Sequence, residues 1–159
     1  MNAPIVIFLD FDGVTHHWLP SASAEERFQY LPRIEDVLRC FAEVRIVICS
    51  DWRKNTPWSA ILSVFAEDIR PRVIGMTPVF SFNDYYTGLR HAEAQAYLKE
   101  NNFDPERWVA LDDIAENWID DARVVVCNDG FFDDEEARLT EALLLIAQTP
   151  AAVPQRKGD

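Results

Sequence analysis

Residues 5–17 read IVIFLDFDGVTHH. Ile5–Leu9 is an unbroken run of branched and aromatic residues, which predicts a strand buried on both faces. It runs straight into two carboxylates two positions apart, Asp10 and Asp12, with Gly13 next. A strand buried on both faces belongs to a parallel sheet covered by helices, and in such sheets ligands gather beyond the carboxyl ends of the strands. The strand is then a rigid mount, and its end is where the charges can reach a ligand.

Outward from this run the pattern repeats. Arg45–Cys49, Arg72–Ile74, Arg107–Leu111 and Arg123–Cys127 read as further strands. Between and after them, Ile34–Glu43, Pro57–Asp68, Leu89–Asn101 and Asp133–Gln148 read as helices, with one or two helical turns over Ile114–Asp120. Ile34, Val37, Leu38 and Phe41 mark the buried stripe of the first helix, and Leu89, Ala92, Ala96, Tyr97 and Glu100 the spacing of the third. Residues 14–32 and 75–88 read as irregular connections. Strands alternating with helices predict an α/β fold, a Rossmann-like three-layer sandwich around a central five-stranded parallel sheet. Residues 1–149 form one domain on this reading, and residues 150–159 a disordered tail.

The chain has 159 residues and a formal charge of −12, with a sequence pI near 4.6. That balance argues against general, sequence-independent nucleic-acid binding, which needs a basic footprint, and leaves local recognition of a phosphate open. The three cysteines, Cys40, Cys49 and Cys127, show no metal or redox spacing and read as buried reduced thiols of a cytoplasmic protein. No apolar run is long enough to span a membrane, and the first residues do not read as a signal peptide.

The residues at the strand exits point to chemistry. The first strand ends in Asp10-Phe11-Asp12-Gly13, the second in Ser50-Asp51-Trp52-Arg53 and the fourth in Asp112-Asp113, while Arg90 stands at the start of the third helix. Clustered carboxylates repel unless a cation neutralises them, and hard oxygen ligands without His or Cys suit Mg²⁺. A hydroxyl and a guanidinium at the same edge suit a phosphoryl group. An aspartate can attack phosphorus, and a second carboxyl can move the proton. Arg53 reads either as a second phosphate contact, and so a candidate substrate contact, or as the partner of an acidic neighbour. His16 and His17 read as loop residues, and Trp18, Trp52 and Trp58 as rim or core packing or as stacking surfaces for a base. A metal-dependent nuclease and a non-catalytic module retaining the fold are the alternatives.

The set Asp10-x-Asp12-Gly13-Val14, Ser50, Arg90 and Asp112-Asp113, in this order and after apolar strands, resembles the four motifs of the haloacid dehalogenase (HAD) superfamily. LDFDGV, CSDWR and WVALDD are similar to its capless branch, in particular to the HAD domain of Swiss-Army-knife RNA repair proteins. The resemblance implies a Mg²⁺-dependent phosphatase. Asp10 would be nucleophile and metal ligand, and Asp12 general acid/base and metal ligand through its carbonyl. Ser50 and Arg90 would bind the phosphoryl group, with Arg90 where Lys is usual. Asp112 and Asp113 would hold the ion, and which of them binds directly stays open. The connections at residues 13–32 and 75–88 are too short for a large cap domain. An uncovered site suits a bulky partner such as a nucleic-acid end or a phosphoprotein.

Overall fold

A computed structural model describes residues 3–18, 23, 25–81, 87–119 and 123–152. Five parallel strands, β1 (Ile5–Leu9), β2 (Val44–Ile48), β3 (Val73–Met76), β4 (Trp108–Asp112) and β5 (Val124–Val126), lie in the order β3-β2-β1-β4-β5. β1 is central, paired with β2 from Ile5–Val44 to Leu9–Ile48 and with β4 from Val6–Trp108 to Leu9–Leu111. The winding steps one way to β3 and then resumes on the other side of β1. The β1/β4 junction is therefore the switch point where a crevice opens.

The helices are α1 (Leu31–Arg39), α2 (Trp58–Ser63), α3 (Leu89–Glu100) and α4 (Asp133–Gln148). Strand alternation divides the core. Ile5, Ile7 and Leu9 join Ile34 and Leu38 of α1, Ile61 of α2 and Leu139 and Leu143 of α4. Val6 and Phe8 join Ala94, Tyr97 and Leu98 of α3 and the indoles of Trp108 and Trp118. Sheet and helices thus form the three-layer α/β sandwich that the strand pattern predicts.

Several boundaries differ from the periodicity. α1 starts three residues early because Pro32 sits in its first turn, where the missing N–H has no intrahelical partner to lose. α2 stops at Ser63: the Ala66 N–H is captured by Glu35 Oε1 at 2.8 Å instead of continuing the helical ladder. The short turn after β4 is a 3₁₀ turn, Ala115–Asn117, and another, Asp51–Lys54, comes after β2. α3 buries Glu93 with Ala94, Tyr97 and Leu98, not the stripe through Leu89 and Ala92. Cys49 and Cys127 are buried thiols, whereas Cys40, at the end of α1, is exposed because it falls on the solvent side of the helix. Ala152 N donates to Asp104 Oδ2 at 3.0 Å, and residues 153–159 of the expected tail lie outside the described residues. Among the described residues no helix is long and apolar enough to cross a membrane.

Candidate active site

The sheet ladder runs one residue past each strand and so fixes where the exits point. Asp10 N donates to Leu111 O at 3.0 Å, Cys49 N to Leu9 O at 3.0 Å and Cys127 N to Asp112 O at 2.9 Å. Asp10 therefore leaves β1 beside Asp112, the last residue of β4. The carboxylates of Asp10, Asp112 and Asp113 converge, with one oxygen from each within 4.8 Å of the others. Asp10 and Asp112 are buried and Asp113 is half-buried. These three could hold a metal ion, and an all-carboxylate donor set suits a hard divalent cation.

Arg90 sits against this cluster. Its Nη1 lies 3.0 Å from Asp10 Oδ2 and 2.8 Å from Asp112 Oδ2. The α3 start that carries it is set by Gly88, at φ +72°, whose missing Cβ would meet Ile119 Cγ1 at 2.6 Å. Gly88 N donates to Glu116 O at 2.8 Å, so α3 begins tight against the turn after β4. Asp112 is further fixed by Trp118 Nε1 at 2.9 Å and Ile114 N at 3.0 Å. Gly13, at φ +74°, serves the same close packing: a Cβ there would fall 2.4 Å from Asp113 Oδ2.

Burial pushes the Asp10 carboxyl well above the usual carboxylate range. The Arg90 charge opposes this, and the Asp112 and Asp113 charges add to it. Asp113 is also raised by burial first, against a hydrogen bond from Asp10, with the Asp112 charge pushing the same way as burial. The site holds more negative charge than its own cation balances.

Asp12 stands apart from that cluster. Its Oδ1 lies 2.8 Å from His16 Nε2, and its Oδ2 accepts from Trp52 Nε1 at 3.1 Å. Ser50 is buried and opens the 3₁₀ turn Asp51–Lys54, its Oγ accepting from Trp52 N at 3.3 Å. Arg53 takes the second of its two readings. Its side chain is 1% exposed and lies 2.8 Å from Glu93 Oε2. Its remaining N–H groups go to the carbonyls of Cys49, Ser50, Thr77 and Pro78. All five donors are spent on the protein, so none is left for a phosphate. His17 is held between Asp129 O at 2.8 Å and Tyr30 Oη at 2.8 Å, and Trp18 N donates to Asp129 Oδ1 at 2.6 Å. The loop after β1 is thereby fastened to the loop after β5, with Gly130 N donating to Gly13 O at 2.8 Å.

Asp10, Asp112, Asp113 and Arg90 are brought together, with Asp12 anchored just beyond β1 and Ser50 just beyond β2. The sequence does not reveal the hydrogen bonds of Trp118, Trp52 and His16 to Asp112 and Asp12. The i, i+4 spacing of Asp12 and His16 is the one signal that could have linked the last pair. The profile of the family described as "HAD domain in Swiss Army Knife RNA repair proteins" matches residues 6–135, from β1 into the first turn of α4. A search among curated proteins finds no match. With a profile match that takes in every site residue above, on a five-stranded parallel sheet, the chain belongs to this HAD family.

Proposed function

We propose that the protein is a Mg²⁺-dependent phosphomonoesterase working through an aspartyl-phosphate on Asp10. The observation that carries this is the convergence of Asp10, Asp112 and Asp113 around the Arg90 guanidinium at the switch point of the sheet. Membership of a HAD family supports a phosphatase-type hydrolase in the broad sense. Asp10, Asp112 and Asp113, with the Asp12 carbonyl, would hold Mg²⁺, which when bound neutralises the carboxylates and draws charge from the phosphoryl oxygens.

In this reading an Asp10 oxygen attacks phosphorus as the ester P–O bond breaks, and Asp12 gives its proton to the leaving oxygen. Asp12 then takes a proton from the water that cleaves the acyl-phosphate, which frees phosphate and restores Asp10. Arg90 stabilises the charge on the phosphoryl oxygens. The Ser50 oxygen uses a lone pair for Trp52 N, so its hydrogen can go to a phosphoryl oxygen.

The substrate class we favour is a phosphorylated nucleic-acid end. Among the described residues of 13–30 and 77–88, no helix or sheet strand covers the edge, and the family's description names RNA repair proteins. With a charge of −12, such binding would be local and only weakly salt-dependent.

A panel of 3′- and 5′-phosphorylated oligonucleotides, nucleotides, phosphopeptides and sugar phosphates, assayed with Mg²⁺ and with a chelator, tests the reading. Mg²⁺-dependent phosphate release and beryllofluoride binding are expected. Cleavage of unphosphorylated strands without beryllofluoride binding would favour a nuclease, and inactivity across the panel a binding module.

Metal and protons compete at the cluster, which fixes a pH dependence. The raised Asp10 and Asp113 bind more protons in the folded chain than in the unfolded one. Without metal, stability therefore falls as pH climbs from the ordinary carboxylate range through their raised values. Mg²⁺ needs these carboxylates ionised. Its stabilisation should grow as pH climbs above the ordinary carboxylate range, reaching about 2.7 kcal/mol at roughly a hundredfold excess over Kd. Thermal melts with and without Mg²⁺ over that climb check this, and a pH-independent shift would contradict it.

A further inference from the structure

We propose that His16, together with Trp52, is a positioning residue that holds the Asp12 carboxylate on its proton-transfer station and off the metal cluster. This rests on the phosphatase reading above and adds a residue to it.

The Asp12 side chain is 42% exposed and is held from both sides, Oδ1 by His16 Nε2 at 2.8 Å and Oδ2 by Trp52 Nε1 at 3.1 Å. The two donors come from separate strand ends, one from the loop after β1 and one from the turn after β2. His16 is itself immobilised. It is 3% exposed, and its ring packs edge-on against Phe28 at 5.1 Å and lies 5.8 Å from Trp52. The Phe28 N–H points at Nδ1 at 3.4 Å, and Thr15 Oγ1 lies 3.1 Å from the same nitrogen. With Nδ1 accepting from the backbone, the ring hydrogen is assigned to Nε2, where it is given to Asp12.

Phe28 holds φ +61°, a left-handed conformation rare for an aromatic residue. That conformation is kept while the residue offers both its N–H and its ring to His16. Such departures persist where surrounding structure enforces them, often at functional sites.

The physical need is plain. A carboxylate free to swing beside a divalent ion is drawn into coordination and lost to proton transfer. With no described element closing over the edge, the restraint has to come from the site's own floor. The His16–Trp52 clamp supplies it, in the way outer partners orient ligands elsewhere.

The test uses leaving-group dependence, which a merely structural role would not move. Wild type, His16→Ala, His16→Gln, Trp52→Phe and Asp12→Asn are compared in first-turnover release of the leaving group. One substrate is p-nitrophenyl phosphate, whose leaving group needs no proton, and the other an alkyl phosphomonoester, whose leaving group does. Beryllofluoride affinity and thermal melting are measured in parallel.

His16→Ala should slow the alkyl ester by about 10- to 100-fold, slow the aryl ester far less, and leave beryllofluoride affinity unchanged. His16→Gln, which keeps an N–H, should recover part of the loss, and Trp52→Phe should show the same selectivity more weakly. Equal losses on both esters, or no loss, overturn the clamp while leaving the phosphatase reading intact. Failure of the wild type to turn over these esters and every phosphorylated substrate of the panel above overturns both. Should His16→Ala not fold, His16→Gln and Trp52→Phe decide by the same ratio.

Discussion

Replacing Asp10 by Asn should remove at least about a thousandfold of the turnover, and with it any acid-stable or trapped phosphoryl adduct. Asn keeps the shape of the side chain and a carbonyl oxygen, so packing at the end of β1 is preserved, but an amide is a poor nucleophile toward phosphorus. What makes the result decisive is the accompanying change in stability. Asp10 is buried, and burial together with two neighbouring carboxylates works against its ionised form. Removing the charge relieves that repulsion while Arg90 keeps its 2.8 Å contact to Asp112. The variant should therefore melt at or above the wild-type temperature without Mg²⁺ and gain less from Mg²⁺ than wild type does. An inactive variant that melts lower would point to damage to the fold. Residual turnover near the wild-type level would remove Asp10 from the chemistry. Steady-state assays and calorimetry on one preparation read both quantities.

The second large effect is on the fold. Arg53 and Glu93 are 1% and 2% exposed and 2.8 Å apart, a fully buried ion pair. Arg53→Met fills a similar volume but strands the Glu93 charge, which also accepts Phe80 N at 2.9 Å. Breaking one side of a buried pair costs about 3–5 kcal/mol, enough to lower the melting temperature of a domain this size by roughly 10 °C. Four carbonyls lose their donor at the same time, and they belong to the connections after β2 and β3. The double variant Arg53→Met, Glu93→Leu should regain part of the loss, because it removes the stranded charge but leaves those carbonyls unserved. Urea titrations of the two singles and the double give the coupling. A loss under about 1 kcal/mol in Arg53→Met would show the pair to be incidental. Activity should suffer beyond stability, since Glu93 lies on the helix that carries Arg90, and Arg53 stands three residues after Ser50.

The strands and the strand-end acids were legible in the sequence because both result from burial. A run such as IVIFL has no polar position to face water, so it must be covered on both sides. The carboxylates just beyond it can only lie at the sheet's edge. Harder to read was anything set by tertiary approach. Leu89 and Ala92 carry the apolar spacing of α3, yet Glu93 is buried instead, since Arg53 arrives to neutralise it. Arg53 itself carried two readings that only its buried hydrogen bonds separate. Trp52 looked like packing or stacking and does pack, on Phe11 at 5.7 Å, but its N–H goes to Asp12, forty positions away. Trp118 is legible as apolar and not as the donor that orients Asp112. Periodicity reports which face is covered, and it is silent on which atom a polar tip will meet.

The central place of β1 has a consequence for the growing chain. Asp10 stands at the end of a strand whose partner on one flank, β4, is made about a hundred residues later. Until that partner inserts, neither Asp112 nor Asp113 stands beside Asp10, and Arg90 has nothing to bridge it to. Assembly of the carboxylate cluster and pairing of β4 onto β1 are then a single event in biosynthesis, and a truncated chain ending before β4 would lack the cluster however well its first half folds.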